Sequence, residues 1–286
     1  MKTGVVFEGG ASRAYFSVGA MDALLDEKIY ADYCIGVSAG IANGVSYASR
    51  QRGRNLEVGL KYLSDKRYMG LKYFLKPKNR SFYNMDFVFG EVPEKCVPFD
   101  MEAYSKYCKE TYAGLTDMET GKEVYLPALA EDKSWKNIIA TCALPFLFPP
   151  IKIGGKPYMD GGIADPVPFK KAFSDGCDRV IVVLTRELGY EKKSDAGLRL
   201  AARKYRKKYP AFSKALENRA EVYNREYREI ERLGKEEKLF VIAPKNTLSW
   251  RRTEKSPETI KKMYDEGYSA VKENKEAIET YLNGNL

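Results

Sequence analysis

The chain has 286 residues and no histidine, and its 48 Lys and Arg against 39 Asp and Glu give a formal net charge of +9. The missing imidazole excludes the usual general base near neutral pH, every Ser-His-Asp or Cys-His triad, and every zinc site that needs histidine. If the chain is a hydrolase, another residue must accept the proton of the nucleophile.

The first fifty residues alternate strand and helix patterns. Residues 3–7 predict a short buried strand, Gly9-Gly10 predicts a turn, and residues 14–26 have helical spacing. A second apolar strand at 33–35 leads into a tight turn at 36–40 and a helix over 41–48. This alternation is typical of a parallel α/β sheet.

The middle of the chain, about 50–132, is basic and aromatic and has no clear periodicity. We expect it to be an insertion in a single domain that spans residues 1–286. Within it, residues 85–89 are compatible with either a helix or a strand, and residues 124–126 predict a strand. Segments 138–150 and 157–168, which follow, are rich in proline and glycine.

The last third of the chain, about 190–286, is predicted to be a helical C-terminal part. Residues 179–185 form the strongest strand pattern, and residues 238–243 form another. Between them, residues 198–233 are largely helical and are interrupted at Pro210. The final helix should begin at Pro257, because Ser256 suits the N-cap and Glu258 suits the helix dipole.

Cysteine usage and hydropathy indicate a cytoplasmic protein. The five cysteines include no Cys-x-x-Cys pair, and an odd number cannot all pair within the chain, so reduced thiols are expected. No signal peptide is expected, because the apolar run Val5 to Phe7 ends at Glu8. No membrane-spanning helix is expected either, because the longest uncharged apolar stretch, 137–151, contains three prolines. The cysteines are Cys34, Cys96, Cys108, Cys142 and Cys177.

Two basic segments account for the net charge. Residues 50–80 contain ten Lys or Arg against two acidic residues, with tyrosine and phenylalanine interleaved, and residues 191–208 contain eight against two. One interpretation is that both are solvated helix faces. The other is that they attract an anionic partner, either a phospholipid surface or nucleic acid.

The segment Gly36-Val37-Ser38-Ala39-Gly40 matches the motif G-x-S-x-G. In that motif the serine lies on a strained strand-to-helix turn, and Gly36 and Gly40 allow neighbouring elements to approach without a Cβ clash. Backbone N–H groups and the helix dipole then favour developing negative charge beside Ser38. The alternative is a glycine-bounded turn with an N-cap serine.

Small residues at Gly9, Gly10 and Ala11 follow the first strand and expose successive backbone N–H groups that can bind an anion. A nucleotide-binding loop is one alternative, but the segment matches neither G-x-G-x-x-G nor a P-loop. An oxyanion hole beside Ser38 is more economical, because the two turns end neighbouring strands at the same edge of the sheet.

The third segment is Asp160-Gly161-Gly162, and on its own it indicates a β-turn. Without histidine, the base for Ser38 must be a carboxylate, a lysine, a tyrosine or a cysteine. A Ser-x-x-Lys pair occurs at Ser269 and Lys272, but inside the last helix, where surface residues are expected. Asp160 is therefore the better candidate, and partial desolvation should raise its pKa above about 3.9.

These three motifs, in this order, resemble those of the patatin-like phospholipases, which combine a glycine-rich oxyanion loop, a G-x-S-x-G nucleophile and an Asp-Gly-Gly motif. Segments 140–145, 148–150 and 163–168 also match, so the similarity spans about Lys2 to Lys170. The resemblance implies an α/β fold, a three-layer α/β/α sandwich with a mostly parallel central sheet.

The resemblance also implies roles for individual residues. Ser38 would attack the ester carbonyl and form an acyl-enzyme, and Asp160 would accept the serine proton and later activate water. The N–H groups of Gly10 and Ala11, in the loop that begins at Gly9, would hold the oxyanion, with Arg13 bracing that loop. No cofactor and no metal are implied. Two alanines, Ala11 and Ala14, replace glycines of the family pattern, which puts the shape of the oxyanion loop in question.

The sequence therefore predicts a serine acyl hydrolase of the phospholipase A or lysophospholipase type. A small-molecule esterase or thioesterase with the same dyad is an alternative, as is a non-catalytic protein that binds anionic lipid. The expected partner is a phospholipid or another lipid ester, with peripheral contact between the segment 50–89 and an anionic membrane. No nucleic-acid partner is expected, because the chain contains no base-reading motif.

Overall fold

The computed structural model describes residues 1–77, 79–107, 110–130 and 134–284. One sheet contains eight strands: β1 (Thr3–Phe7), β2 (Tyr33–Val37), β3 (Glu110–Asp117), β4 (Glu123–Pro127), β5 (Ile151–Ile153), β6 (Lys156–Asp160), β7 (Arg179–Val183) and β8 (Phe240–Ile242). Hydrogen bonds connect them in the order β5-β6-β3-β2-β1-β7-β8, and β4 also pairs with β3.

Strands β1, β2, β3, β7 and β8 pair in parallel, whereas β4, β5 and β6 pair antiparallel. The described residues also form these α-helices: α1 (Tyr15–Asp26), α2 (Ala39–Ala48), α3 (Arg54–Tyr62), α4 (Met101–Tyr107), α5 (Lys136–Thr141), α6 (Phe169–Ser174), α7 (Ala196–Tyr205), α8 (Pro210–Lys235), α9 (Pro257–Glu273) and α10 (Lys275–Asn283).

Alternate side chains of the central strands pack into two separate cores, as the pleat of a strand requires. Val5 and Phe7 of β1 face a core shared with α1, α2 and α9, whereas Val6 faces a core shared with α6 and α8. Helices therefore cover both faces of the sheet. The predicted α/β fold with a mostly parallel sheet between helical layers is confirmed.

Strand β3 brings the ends of two other strands together. Its first part, up to Gly114, pairs in parallel with β2, and its last part, from Leu115, pairs antiparallel with β6. Both pairings use the same edge of β3, because β4 occupies the other edge over 112–116. The carboxyl ends of β2 and β6 therefore meet, with Val37 opposite Gly114 and Asp160 opposite Leu115.

Only residues without a side chain fit at this junction. A Cβ atom on Gly161 would lie 2.0 Å from the carbonyl oxygen of Gly114, and one on Gly114 would lie 2.8 Å from Cγ1 of Val37. Real Cβ contacts are longer than this, so the chain after Asp160 can turn here only because residue 161 is glycine.

The backbones of helices α1 and α9 approach each other closely at two glycines, Gly19 and Gly267. A Cβ on Gly19 would lie 1.9 Å from the carbonyl oxygen of Tyr264, and one on Gly267 would lie 1.9 Å from that of Phe16. Two backbones this close pack without intervening side chains. The last long helix is thereby fitted to the first helix of the chain.

Several sequence predictions are confirmed in detail, and one is wrong in part. Strand β1 has the predicted bounds, and α9 begins at Pro257 after Ser256, whose Oγ accepts a hydrogen bond from the N–H of Thr259 at 3.4 Å. However, the segment predicted as an insertion, 50–132, supplies β3 and β4 to the central sheet. Strand β3, with the sequence ETYAGLTD, carries small and polar residues instead of an apolar run, so its local pattern does not predict a strand.

The ambiguous segment 85–89 runs into a π-helical segment, Phe87–Cys96. Of the cysteines, Cys108 lies outside the described residues, and Cys34, Cys96, Cys142 and Cys177 form no disulfide within them. Across the described ranges, none of the helices combines the length and the hydropathy needed to cross a bilayer.

Candidate active site

Ser38 lies between β2 and α2 in a backbone conformation with φ 51° and ψ −135°. A non-glycine residue with positive φ is strained, at a cost of roughly 1–3 kcal/mol, and such residues cluster at functional sites. The flanking glycines permit the turn. A Cβ on Gly36 would lie 2.6 Å from the carbonyl oxygen of Phe7, and one on Gly40 would lie 2.5 Å from that of Glu8.

The backbone of Ser38 is held by a threonine from α5. The N–H of Ser38 donates to Oγ1 of Thr141 at 2.8 Å, and the Thr141 hydroxyl donates to the carbonyl oxygen of Gly114 at 2.5 Å. Thr141 thus ties the strained turn to β3. The sequence placed Thr141 in a segment matching the family, but it did not indicate this role.

Asp160 ends β6 with its side chain almost fully buried, at 2% exposure. One carboxylate oxygen accepts a hydrogen bond from the N–H of Gly162 at 2.9 Å, and Asp160 and Ser38 line the same small cavity. Burial raises the pKa of Asp160 above its usual range, partly offset by Arg219 and by this hydrogen bond. The structure therefore brings together the two residues expected to act as nucleophile and base.

The loop of Gly9, Gly10 and Ala11 lies against Ser38. A Cβ on Gly9 would be 3.0 Å from Cβ of Ser38, and one on Gly10 would be 2.7 Å from Oγ1 of Thr185. Within the described part of the chain, the N–H groups of Gly10 and Ala11 have no hydrogen-bond acceptor. Ala11 has φ 49°, the left-handed conformation that favours glycine.

Beneath this loop, the carboxylate of Glu8 is buried, with 3% exposure. It accepts hydrogen bonds from the N–H of Thr185 at 2.5 Å, the hydroxyl of Tyr223 at 2.6 Å and the hydroxyl of Tyr227 at 2.7 Å. The chain just after β7 and helix α8 therefore hold the residue that precedes the loop of Gly9, Gly10 and Ala11. The sequence gave no signal for this network, because its members are far apart along the chain.

Arg13, expected to brace the loop, is 6% exposed, and its N–H donates to the carbonyl oxygen of Gly10 at 3.2 Å. Its Nε is buried and has no hydrogen-bond partner among the described residues. Burial and the nearby charges of Arg186 and Arg252 lower the pKa of Arg13 to about 10. The bracing contact that the structure contains is thus a backbone one, and the guanidinium faces other cations.

Arg219 of α8 is a site residue that sequence reasoning missed. Its Nε donates to the carbonyl oxygen of Gly162 at 2.7 Å, and its side chain is buried, with 8% exposure. Its charge favours the ionised form of Asp160 and so limits the rise in the pKa of that carboxyl. No motif surrounds Arg219, so only the tertiary structure could identify it.

A second buried acidic pair lies behind the Asp-Gly-Gly turn. Tyr125 donates a short hydrogen bond to Asp165, and Oε2 of Glu226 accepts one from the N–H of Val167 at 3.2 Å. Burial, together with the adjacent Asp165 carboxylate, raises the pKa of Glu226 well above its usual range. The raised pKa favours the protonated form of Glu226 beside the Asp165 carboxylate.

An apolar cavity of about 160 Å³ opens from Ser38. Its walls come from the 3-10 turn before α1, from helix α3, from the π-helical segment and from the chain around α5, and they include Tyr15, Tyr68, Val92, Ile138 and Phe148. A second, smaller cavity is lined by both Ser38 and Asp160. Within the described ranges, no group of three or more Cys, Asp or Glu side chains is arranged to hold a metal ion.

Much of the basic segment 50–80 has partners within the chain. Arg52 pairs with Asp26 at 2.8 Å, and the Arg54 guanidinium donates to the carbonyl oxygen of Val97 at 3.0 Å. Arg67 pairs with Asp65 at 2.9 Å. For these arginines a structural role is sufficient, whereas Lys66, Lys72, Lys76 and Arg80 are exposed.

Comparison with known proteins gives two family matches. A family model described as patatin-like phospholipase matches residues 5–173, which is more than half of the chain. A second model, for a domain of unknown function named DUF6363, matches residues 209–283. The first match runs from within β1 to within α6 and includes both candidate catalytic residues, and the second covers α8, β8, α9 and α10.

Among curated proteins, the chain is 27% identical over 195 residues to the uncharacterized protein YjjU of Escherichia coli (strain K12), covering 63% of this chain and 51% of that protein. It is 26% identical over 192 residues to lysophospholipase NTE1 of Meyerozyma guilliermondii, covering 63% of this chain and 12% of that protein. The chain therefore spans about half the length of the first relative and a small part of the second.

Proposed function

Because the chain belongs to the patatin-like phospholipase family, a family of lipid acyl hydrolases, we propose that it cleaves lipid esters through Ser38 and Asp160. One observation carries the proposal. In a chain without histidine, the buried carboxylate of Asp160 lines the same small cavity as Ser38, whose backbone forms a strained turn. A carboxylate beside a serine can act as the general base that activates the hydroxyl as a nucleophile.

In the proposed mechanism, Oγ of Ser38 attacks the ester carbonyl carbon while Asp160 accepts the hydroxyl proton. The resulting oxyanion receives hydrogen bonds from the N–H groups of Gly10 and Ala11, which are unoccupied among the described residues. The intermediate collapses, and Asp160 returns the proton to the leaving alcohol. A water molecule then attacks the acyl-enzyme by the same route, releasing the fatty acid and restoring Ser38.

The environment of Asp160 suits both halves of this cycle. Burial raises its pKa, which makes the carboxylate a stronger base than an exposed aspartate, and Arg219 opposes its protonation in the resting state. The apolar cavity beside Ser38 would hold the acyl chain during both steps.

A fluorophosphonate probe tests the nucleophile. The wild-type chain should be labelled, Ser38→Ala should not, and Ser64→Ala, which changes an exposed serine, should behave as the wild type. Equal labelling of Ser38→Ala and the wild type would refute the assignment. Asp160→Asn cannot accept the proton, so turnover should fall by about 10²–10⁴-fold, while circular dichroism stays unchanged. Full turnover in that variant would remove Asp160 from the mechanism.

Turnover measured on esters of increasing acyl-chain length separates a lipase from a small-molecule esterase or thioesterase. A lipid hydrolase should improve with chain length until the apolar cavity is filled, since each buried CH₂ contributes about 0.8 kcal/mol. Highest activity on acetyl or butyryl esters would favour the esterase. The absence of turnover on any ester or thioester, with lipid binding retained, would favour a non-catalytic lipid-binding protein.

The 3-10 turn Leu71–Leu75 is proposed to contact the membrane surface. Leu71 and Leu75 are 75% and 86% exposed, and the adjacent Lys72 and Lys76 are exposed as well. Exposed leucines beside lysines match the requirements of an interface, where apolar groups enter the acyl boundary and ammonium groups meet phosphates. Lys78, which the sequence grouped with them, lies outside the described residues.

A further inference from the structure

A cationic cavity lies beside the candidate active site, between the start of α7, helix α8 and the segment before α9. It has a volume of about 170 Å³. A single water requires only about 10–15 Å³ by the same measure, so the cavity admits a much larger group. Seven of its described lining residues are Arg or Lys, against two acidic residues, Asp195 and Glu217. We call this cavity the cationic pocket.

The cationic pocket adjoins the cavity that is lined by Ser38 and Asp160. Four cationic residues line both: Arg13, Lys192, Arg219 and Arg252. Ser38 in turn lines both that cavity and the apolar cavity on its other side. The nucleophile therefore lies between an apolar compartment and a positively charged one.

These four cations outnumber the carboxylates near them, which are Glu8 and Asp160 in the cavity that they share with Ser38. None of the ion pairs within the described residues involves Arg13, Lys192, Arg219 or Arg252. The buried Nε atoms of Arg13 and Arg186 have no hydrogen-bond partner there either. Of the two acidic residues that line the cationic pocket, Asp195 is engaged as the N-cap of α7 through Gly197 and Leu198. Arg13 and Arg219 are buried, Lys192 is half-buried and Arg252 is exposed. An excess of positive charge in a partly buried cavity is unfavourable, and an anionic ligand would offset it.

The position of Lys192 is fixed by its backbone. Its N–H donates to Oδ1 of Asn224 at 2.7 Å, and Nδ2 of Asn224 donates to its carbonyl oxygen at 3.0 Å. Its ammonium lies 4.1 Å from the ring centroid of Tyr223. Burial and the charges of Arg219, Arg252 and Arg13 lower the pKa of Lys192 to about 7. The ammonium is held among like charges, which an anion in the pocket would offset.

We infer that the cationic pocket binds the head group of the lipid ester through its phosphate, and that it selects head groups with an excess of negative charge. This rests on the ester hydrolysis proposed above. An ester carbonyl at Ser38 would place the acyl chain in the apolar cavity and the head group among Arg13, Lys192 and Arg252. A phosphate monoester brings only negative charge, whereas a zwitterionic head group also brings an ammonium into a cavity lined by cations.

This selectivity is attributed to the chain beyond the patatin-like match. Lys192, Arg219 and Arg252 lie after residue 173, where that match ends. The first part of the chain would thus carry the residues that cleave the ester, and the later part would carry most of the residues that select the head group.

The test compares phosphatidate, phosphatidylcholine and diacylglycerol with identical acyl chains in micelles of a neutral detergent. The variants are Lys192→Met, which keeps the aliphatic stem, and Arg252→Gln. Arg13 and Arg219 are left intact because they contact the catalytic loops. Lys214→Met is the matched control, since it removes one charge from an exposed position on α8. The measured quantity is the ratio of kcat/KM for phosphatidate to that for each other lipid.

The wild-type chain and Lys214→Met should prefer phosphatidate. Each pocket variant should lower this preference about tenfold, as expected for the loss of one charge-assisted contact. An unchanged preference in both pocket variants, or a wild-type preference for phosphatidylcholine, would overturn the inference.

A binding measurement separates failure of the pocket from failure of the proposed hydrolysis. Inorganic pyrophosphate, titrated calorimetrically, should bind the wild-type chain and Ser38→Ala equally, and it should bind each pocket variant about tenfold more weakly. If pyrophosphate binding is weakened by the pocket variants but the chain hydrolyses no ester, the proposed hydrolysis is refuted and the cationic pocket remains a phosphate-binding site. Binding combined with unchanged lipid preference would assign the pocket to a soluble phosphorylated compound and overturn the head-group role. No binding together with unchanged preference would refute the pocket altogether.

Discussion

Replacing Ala11 with glycine should stabilise the fold, although it removes a methyl group. Ala11 has φ 49°, and an L-residue in the left-handed region costs about 1–2 kcal/mol relative to its usual conformation. Glycine avoids this cost, but its greater freedom in the unfolded chain subtracts about 0.4–1 kcal/mol. The difference predicts that Ala11→Gly increases the free energy of unfolding by about 0.5–1 kcal/mol.

Ala14 provides the matched control, because it also stands where the family pattern has glycine. It has φ −63° and is fully buried. Glycine there relieves no strain, loses a buried methyl worth about 0.8 kcal/mol, and adds about 0.5–1 kcal/mol of backbone entropy. Ala14→Gly should therefore destabilise the fold by about 1–2 kcal/mol.

Urea unfolding followed by far-UV circular dichroism measures both variants, with the midpoints compared at equal dependence on denaturant. The two substitutions remove the same group from neighbouring positions of the same turn. Shifts of the midpoint in opposite directions are expected. A lower midpoint for Ala11→Gly, or equal shifts for both variants, would refute the assignment of strain to Ala11.

Further predictions concern packing, proton linkage and the interface. Gly267→Ala should lower the free energy of unfolding by about 2–3 kcal/mol in urea, because its Cβ would overlap α1, whereas Gly90→Ala, whose Cβ meets open space, should change it little. In the wild type, the raised pKa of Glu226 means that the folded state binds the extra proton, so stability falls as pH rises from mildly acidic through neutral. Glu226→Gln should remove this contribution to the pH dependence of the free energy of unfolding. The same pH dependence in the variant and the wild type would contradict the raised pKa of Glu226. Replacing Leu71 and Leu75 together by serine should lower the fraction of protein that sediments with phosphatidylglycerol vesicles. An unchanged fraction would exclude this turn from the membrane contact.

The sequence was sufficient to predict those parts of the molecule that are determined by residues close together in the chain. The alternating strands and helices around β1 and β2 predicted a parallel sheet, and the turns at Ser38, Gly9 and Asp160 could be placed from short motifs. Because the chain has no histidine, Asp160 was the best candidate for the base that accepts the Ser38 proton. For the family, a match over residues 5–173 agrees with the resemblance of these motifs.

What the sequence could not supply depends on long-range contacts. Strand β3 has no apolar run, because the close approach of β2 and of the Gly161 turn selects small residues such as Gly114. Arg219 belongs to a helix that otherwise has an ordinary amphipathic pattern, and only the tertiary structure brings it to the Asp-Gly-Gly turn. The sequence shows that Ala11 replaces a glycine of the family pattern, but it does not show the backbone conformation there. The positive φ of Ala11 is known only from the structure.

The contacts of Glu8 give the chain a property that concerns its synthesis. Two of the three donors to its carboxylate, Tyr223 and Tyr227, lie more than two hundred positions later, in α8. Ribosomes add about 5–20 residues per second from the N-terminus, so the loop, Ser38 and Asp160 all emerge well before these tyrosines. Until α8 is made, the carboxylate under the oxyanion loop lacks the groups that hold it. A nascent or truncated chain would therefore meet cellular membranes with its proposed lipid-cleaving site incomplete.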